Sequence, residues 1–191
     1  MMPRIPLKTG KTDVPADYHH VVDGVMAVFG AVRGPFGVLL HSPALAELLL
    51  PLVPFVREKS VVPDLLRMAG VLAAVREREA KYVWGAQVGY ARRVDVPEAL
   101  IDLIRAKGDA AGLPEDQRDT IEYARQLMRT NRVDRTLFDK MNTKFGAQWM
   151  VEMTASMNFY AFLCGMTNAF NVPATEGLDK LPEQDTEQAT G

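Results

Sequence analysis

From about residue 16 to residue 172 the apolar positions of this chain recur with a helical period, and runs alternating every second residue are nearly absent. Leu65, Met68, Ala69, Leu72 and Val75 fall at i, i+3, i+4, i+7 and i+10, followed by Arg76, Glu77 and Arg78. That is the stripe of a core-facing helix with a charged end. The start and stop signals agree. Ser42-Pro43 places a capping hydroxyl before a proline at the first helical position. Val96-Pro97-Glu98 opens a helix carrying Leu100, Leu103 and Ile104, with Lys107-Gly108 as its stop. Pro114-Glu115-Asp116 opens another, its acids where the helix dipole favours them. Asp134 is placed to cap a helix that buries Leu137, Phe138 and Met141 and ends at Gly146. The last helix, 147–170, is apolar almost all round, which predicts burial in the core or in a subunit interface. The expected fold class is all-α.

Both ends of the chain break this period. Residues 1–15 read as an irregular N-terminal arm. Residues 173–191 carry five acidic residues and one lysine with few large apolar side chains. Such a tail buries too little to offset its ordering entropy, so it is expected to be flexible or loosely docked. The body, 16–172, then forms one helical domain. A chain of 191 residues with 48% apolar and 24% charged side chains can build a core without disulfides or metal.

Charge and cysteine content narrow the functional classes. Lys and Arg total 22 against 24 Asp and Glu, a net charge of −2, which lacks the basic footprint of a nucleic-acid binder. Cys164 is the only cysteine, so no disulfide framework exists and a cytoplasmic protein is expected. The N-terminus has no apolar run of signal-peptide type. The longest uncharged apolar stretch near it, Val25 to Val32, falls far short of the roughly 20 residues a membrane span needs.

The histidines, His19, His20 and His41, lack the i, i+3 or i, i+4 spacing that would set two metal ligands on one helix face. Neither a metal nor a cofactor is expected. Cys164 lies on the stripe Met150, Met153, Met157, Tyr160, Cys164, where a lone cysteine packs as a small hydrophobe. The segment from Ala80 to Tyr90 is richer. It gathers Tyr82, Trp84, Gln87 and Tyr90, and on a helix Trp84, Gln87 and Tyr90 follow at steps of three, a polar-aromatic edge. Gly85 and Gly89 leave room for another backbone. Two readings stand: a core aromatic cluster with a hydrogen-bonded amide, or the wall of a small-molecule pocket.

Several stretches resemble the carboxymuconolactone decarboxylase-like family, related to alkylhydroperoxidase D. Gly34-Pro35-Phe36-Gly37-Val38-Leu39-Leu40-His41-Ser42-Pro43-Ala44-Leu45-Ala46 is similar to its opening segment, and Leu65 to Asp95 to its core motif. Phe145-Gly146 and Asn168-Ala169-Phe170-Asn171-Val172 are similar to its last helix pair. The resemblance implies helical hairpins that assemble into trimers or hexamers, with small-molecule pockets near subunit contacts. Its peroxidase branch uses a cysteine pair, a histidine and a glutamate. Ala80 and Val83 stand at those cysteines, Gln87 at the histidine and Met68 at the glutamate, while Tyr82 is retained. A dithiol cycle is therefore excluded. The decarboxylase branch relies on the same histidine, and glutamine cannot exchange a proton near neutral pH.

The resemblance thus implies a non-redox protein acting on a small carboxylated or hydroxylated ring or lactone, as a lyase or hydratase-like enzyme. Tyr82 and Gln87 are its candidate catalytic residues. Trp84, Tyr90, Arg67 and His41 are candidates for substrate binding. Arg67 also reads as a solvated helix residue beside Asp64. A catalytically silent oligomer that binds a ligand or a partner protein is the alternative, and peroxidase activity through Cys164 alone is a third reading. No nucleic acid or membrane partner is expected.

Overall fold

The structure, a computed structural model, describes residues 2–182. It is all-helical, with no strand among the described residues. Two short 3-10 turns precede α1 (His19–Phe29), α2 (Pro35–Leu39), α3 (Pro43–Leu49) and α4 (Leu52–Pro54), which runs into a π turn at Phe55–Lys59. Then follow α5 (Asp64–Glu77), α6 (Lys81–Arg93), α7 (Glu98–Arg105), α8 (Glu115–Thr130), α9 (Arg135–Phe145) and α10 (Ala147–Ala169).

Helix α5 is the axis of the molecule. Every residue from Leu66 to Val75 is buried, because α6, α7, α8 and α10 all pack against it. A helix enclosed on all sides needs small residues where its neighbours come closest. Gly70 is such a position: a Cβ there would sit 2.7 Å from the Met153 Cε of α10 and 3.2 Å from the Thr120 Cγ2 of α8. The stripe of α10 expected to be internal is internal, since Met150, Met153, Met157, Tyr160 and Cys164 are all buried. Its other side leaves Val151 and Phe162 exposed, as α3, α4 and the turn after them leave Leu45, Leu48, Leu52 and Phe55. No described helix is long and apolar enough to cross a membrane.

The local signals acted with some differences. Asp134 caps α9 as expected, its Oδ1 accepting from the Thr136 and Leu137 amides at 2.9 and 3.2 Å. Ser42 stands at the N-cap of α3, but its hydroxyl makes no capping bond, and Pro43 at the first position opens the helix. Phe138, expected inside, is 39% exposed, because α9 packs mainly on α8 and α10. At the end of α7 the left-handed residue is Lys107, with φ of 52°, not Gly108. The Gly108 amide donates back to the Leu103 carbonyl at 2.8 Å, which puts Lys107 at the turning position. Its ammonium is held by Glu79 at 2.7 Å.

Both chain ends are docked as far as they are described. In the arm, the Arg4 amide donates to the Phe170 carbonyl and the Lys8 amide to the Gly37 carbonyl, both at 2.9 Å. At the other end, where a flexible or loosely docked tail was expected, Leu181 is buried in the main core and the Asp179 side chain is 11% exposed. The remainder of that tail, 183–191, lies outside the described residues.

A candidate binding cavity along helix α6

From Lys81 onward the segment is helical, within α6, and the helical period sorts its side chains to different sides. Tyr82, Ala86, Gly89 and Arg93, spaced four, three and four apart, line a cavity of about 370 Å³, together with Val83, Gly85 and Gln87. Its apolar walls come from Val28 and Phe29 of α1, Phe36 of α2, Val53 of α4, and Phe159 and Leu163 of α10. That size and lining suit a small ring compound.

Gln87 carries the first unusual feature. It is 3% exposed, and its Oε1 has no hydrogen-bond partner. Thr120 Oγ1 and Trp149 Nε1 are the other unpartnered buried side-chain atoms among the described residues, and neither residue lines the cavity. An unmet buried acceptor costs about 1–3 kcal/mol, so the fold carries a penalty at this wall.

The second feature is charge. Arg33, Arg57 and Arg93 all line the cavity, and no Asp or Glu does. Among the described residues none of the three has a carboxylate within 4.0 Å; Arg4, Arg78, Arg125 and Arg132, outside the cavity, also have none, whereas Arg67, Arg76, Arg92, Arg105, Arg118, Arg129 and Arg135 do. Arg33 and Arg93 are exposed at the rim, and Arg57 is half-buried. Arg57 is also held in place. Its Nε donates to the Tyr160 hydroxyl at 3.1 Å, and its guanidinium lies 5.2 Å from the Phe29 ring and 4.9 Å from the Tyr90 ring. These contacts orient a cation without neutralising it.

Two phenols complete the lining. Burial pushes the Tyr82 hydroxyl above its ordinary value, against the opposing pull of Arg33. Burial does the same to Tyr160, with Arg57 opposing. Both are therefore protonated donors at neutral pH. Tyr82 packs against Gly34, whose φ of 61° and lack of a Cβ admit the ring.

The other sequence candidates lie elsewhere. Tyr90 donates from its hydroxyl to the Arg57 carbonyl at 3.2 Å and stacks between Arg57 and Arg93, behind the cavity surface. Trp84 is fully buried and turned away, its Nε1 donating to Asp179 Oδ1 at 2.9 Å. Arg67 is neither solvated nor in the cavity: it is 3% exposed, paired with Asp64 and bonded to the Val62 carbonyl. His41 is exposed and joins its Nε2 to the Pro6 carbonyl at 2.7 Å, a tie for the N-terminal arm. Cys164 is fully buried and its thiol is pushed up to about 12, which leaves no thiolate for peroxide chemistry. Among the described residues no three metal-ligating side chains converge.

Arg33, Arg57, Arg93 and Tyr160 were absent from the sequence candidates. Arg57 stands in Arg57-Glu58-Lys59, which reads as a solvated charge run, and Tyr160 reads as core. The chain matches no protein-family model and no curated protein.

Proposed function

We propose that this chain is a non-redox member of the carboxymuconolactone decarboxylase-like family, a lyase or hydratase-like enzyme acting on a small carboxylated or hydroxylated ring or lactone. One observation carries this reading: a cavity lined by three arginines that have no acidic partner among the described residues and by two protonated phenols, with Gln87, whose buried amide oxygen is unpaired, in its wall. A cavity of that kind is incomplete without an anion that has an apolar body and a hydrogen-bond donor. Arg57, oriented by Tyr160 and two rings, receives the carboxylate. Gln87 orients the ring through its amide. As the C–C bond to a substrate carboxylate breaks, carbon dioxide leaves, the bond's electron pair moves onto the conjugated carbonyl as an enolate, and Tyr82 gives its phenolic proton to the carbon skeleton as that enolate collapses. Solvent then reprotonates the tyrosinate.

The same reading makes the chain a homo-oligomer, and the exposed apolar side chains Leu45, Leu48, Leu52 and Phe55 offer a surface for it. The silent-binder alternative draws on Gln87, which provides no titrating group where the family places a histidine.

Turnover decides between them. The chain is incubated with a panel of small lactone carboxylates and hydroxycarboxylates, and products are followed by proton NMR. Conversion of one class is expected, falling about 100-fold in Tyr82→Phe with the fold intact. Conversion unaffected by Tyr82→Phe would remove the assigned acid, and binding without any conversion would favour the silent oligomer.

A further inference from the structure

The segment after α10 is built into the cavity wall. Leu178 lines the cavity and stands at its mouth, 36% exposed. Thr175 lies beside the Tyr82 phenol. One residue beyond Leu178, Asp179 is bound on both oxygens. Its Oδ1 accepts from Trp84 Nε1 at 2.9 Å and from Arg105 Nε at 3.2 Å, and its Oδ2 from Arg92 and Arg105 at 2.9 and 2.8 Å. Between these contacts the chain lies directly on α6: a Cβ added to Gly85 would come within 2.9 Å of the Asp179 carbonyl and 3.0 Å of the Leu178 Cβ.

The chemistry of the two contacts differs in kind. The Asp179 node is a charge-assisted, four-bond anchor that fixes position. Leu178 brings only an apolar surface to the cavity, with one side open to solvent. An anchored backbone carrying an apolar side chain across a cavity mouth limits what can enter by its length. We infer that residues 175–179 are the specificity-determining wall of this cavity, with Leu178 setting the length of ring substituent admitted and Asp179 positioning the segment through α6 and α7. The inference rests on the cavity being the ligand site proposed above, and adds that the C-terminal segment decides which members of the ligand class fit.

The test uses the full chain and two anionic probes, benzoate and 4-butylbenzoate, by titration calorimetry. The wild type is expected to favour benzoate. Leu178→Ala, with an unchanged circular dichroism spectrum, is expected to shift the ratio of the two Kd values toward 4-butylbenzoate by at least about tenfold, because four more methylene-sized groups gain a buried seat. Asp179→Asn keeps the shape but removes the charge, and is expected to speed amide hydrogen exchange of residues 174–182 by about tenfold or more and to move the ratio the same way. Gly85→Ala, which pushes on the segment from below, is expected to reproduce that shift. An unchanged ratio in Leu178→Ala, with both probes still binding, would overturn the inference and leave the cavity reading standing. Binding of neither probe to the wild type would remove the cavity reading, and the inference with it.

Discussion

Two neighbouring positions on one edge of helix α6, Trp84 and Gln87, bury polar groups in opposite ways. Around Trp84, polar demand is met: the indole donates to Asp179, whose carboxylate also receives Arg92 and Arg105, and Arg92 further holds Glu98. Around Gln87, demand is left open. Among the described residues an amide oxygen has no partner, and three arginines line a cavity to which no acid contributes. Both positions belong to one helix, so the contrast does not come from local propensity. Folding alone favours the first arrangement, since buried polar groups are normally paired. On the proposed reading, the second belongs to a site shaped for something outside the chain, where stability is given up for function.

The contrast makes opposite statements about mutation around the two positions. The largest effect is expected at Trp84. Replacing it with alanine removes a fully buried indole and leaves Asp179 short of a donor, a loss of about 3–5 kcal/mol in urea unfolding. A loss below about 1 kcal/mol would mean that the C-terminal segment is not anchored there.

Next comes a pair of arginines. Arg105→Gln breaks two of the Asp179 bonds and should cost about 1–2 kcal/mol, the pair being partly exposed. Arg57→Gln removes a cation with no acidic partner among the described residues. The Tyr160 hydrogen bond and the ring contacts it loses are partly offset by relief of an unneutralised, half-buried charge, so the loss should be smaller, about 0.5–1 kcal/mol. Equal losses in the two variants would erase the distinction between the two surroundings.

Gln87→Met goes further, since it replaces an unpartnered buried oxygen by a side chain of similar shape. It should stabilise the chain by about 1 kcal/mol while weakening any cavity ligand. Destabilisation instead would show that the amide is satisfied within the fold.

The smallest effect is in acid. Burial alone would raise the Asp179 carboxyl, but Trp84, Arg105 and Arg92 hold it below its ordinary value. A carboxyl lower in the folded than in the unfolded state stabilises the fold above the unfolded value, about 3.9, and that contribution fades as pH falls through the folded one. Wild type should therefore lose stability below about pH 4 more steeply than Asp179→Asn does. Parallel acid curves would contradict this.

Much of the fold was legible in the sequence, because helix periodicity, proline starts and the Asp134 cap are local signals. The stripe from Met150 to Cys164 follows from spacing alone, whereas helicity of 80–90 is only a condition of the sequence reading, and the structure places Tyr82 and Gln87 on one helix. The partners were not legible. Whether an arginine is neutralised depends on which acids come near it in three dimensions, so Arg57 and Arg105 look alike in the sequence. The docking of residues 175–181 was not legible for the same reason. Its composition is that of a free tail, but the partners of Asp179 lie 74 to 95 residues away, beyond any local pattern. Trp84 and Gln87 sit three apart and share an edge on a helical wheel, but the packing of residues 175–181 on α6 draws the indole away from the cavity.

The most direct measurement is titration calorimetry of benzoate and of benzyl alcohol, its uncharged counterpart in shape, against wild type and Arg57→Gln. Benzoate is expected to bind wild type at least about tenfold more tightly than benzyl alcohol does, as hydrogen bonds to a charged partner warrant, and to lose that advantage in Arg57→Gln. Equal binding of the two compounds to wild type, or a benzoate preference that survives Arg57→Gln, would contradict the view that unpaired charge marks the ligand site.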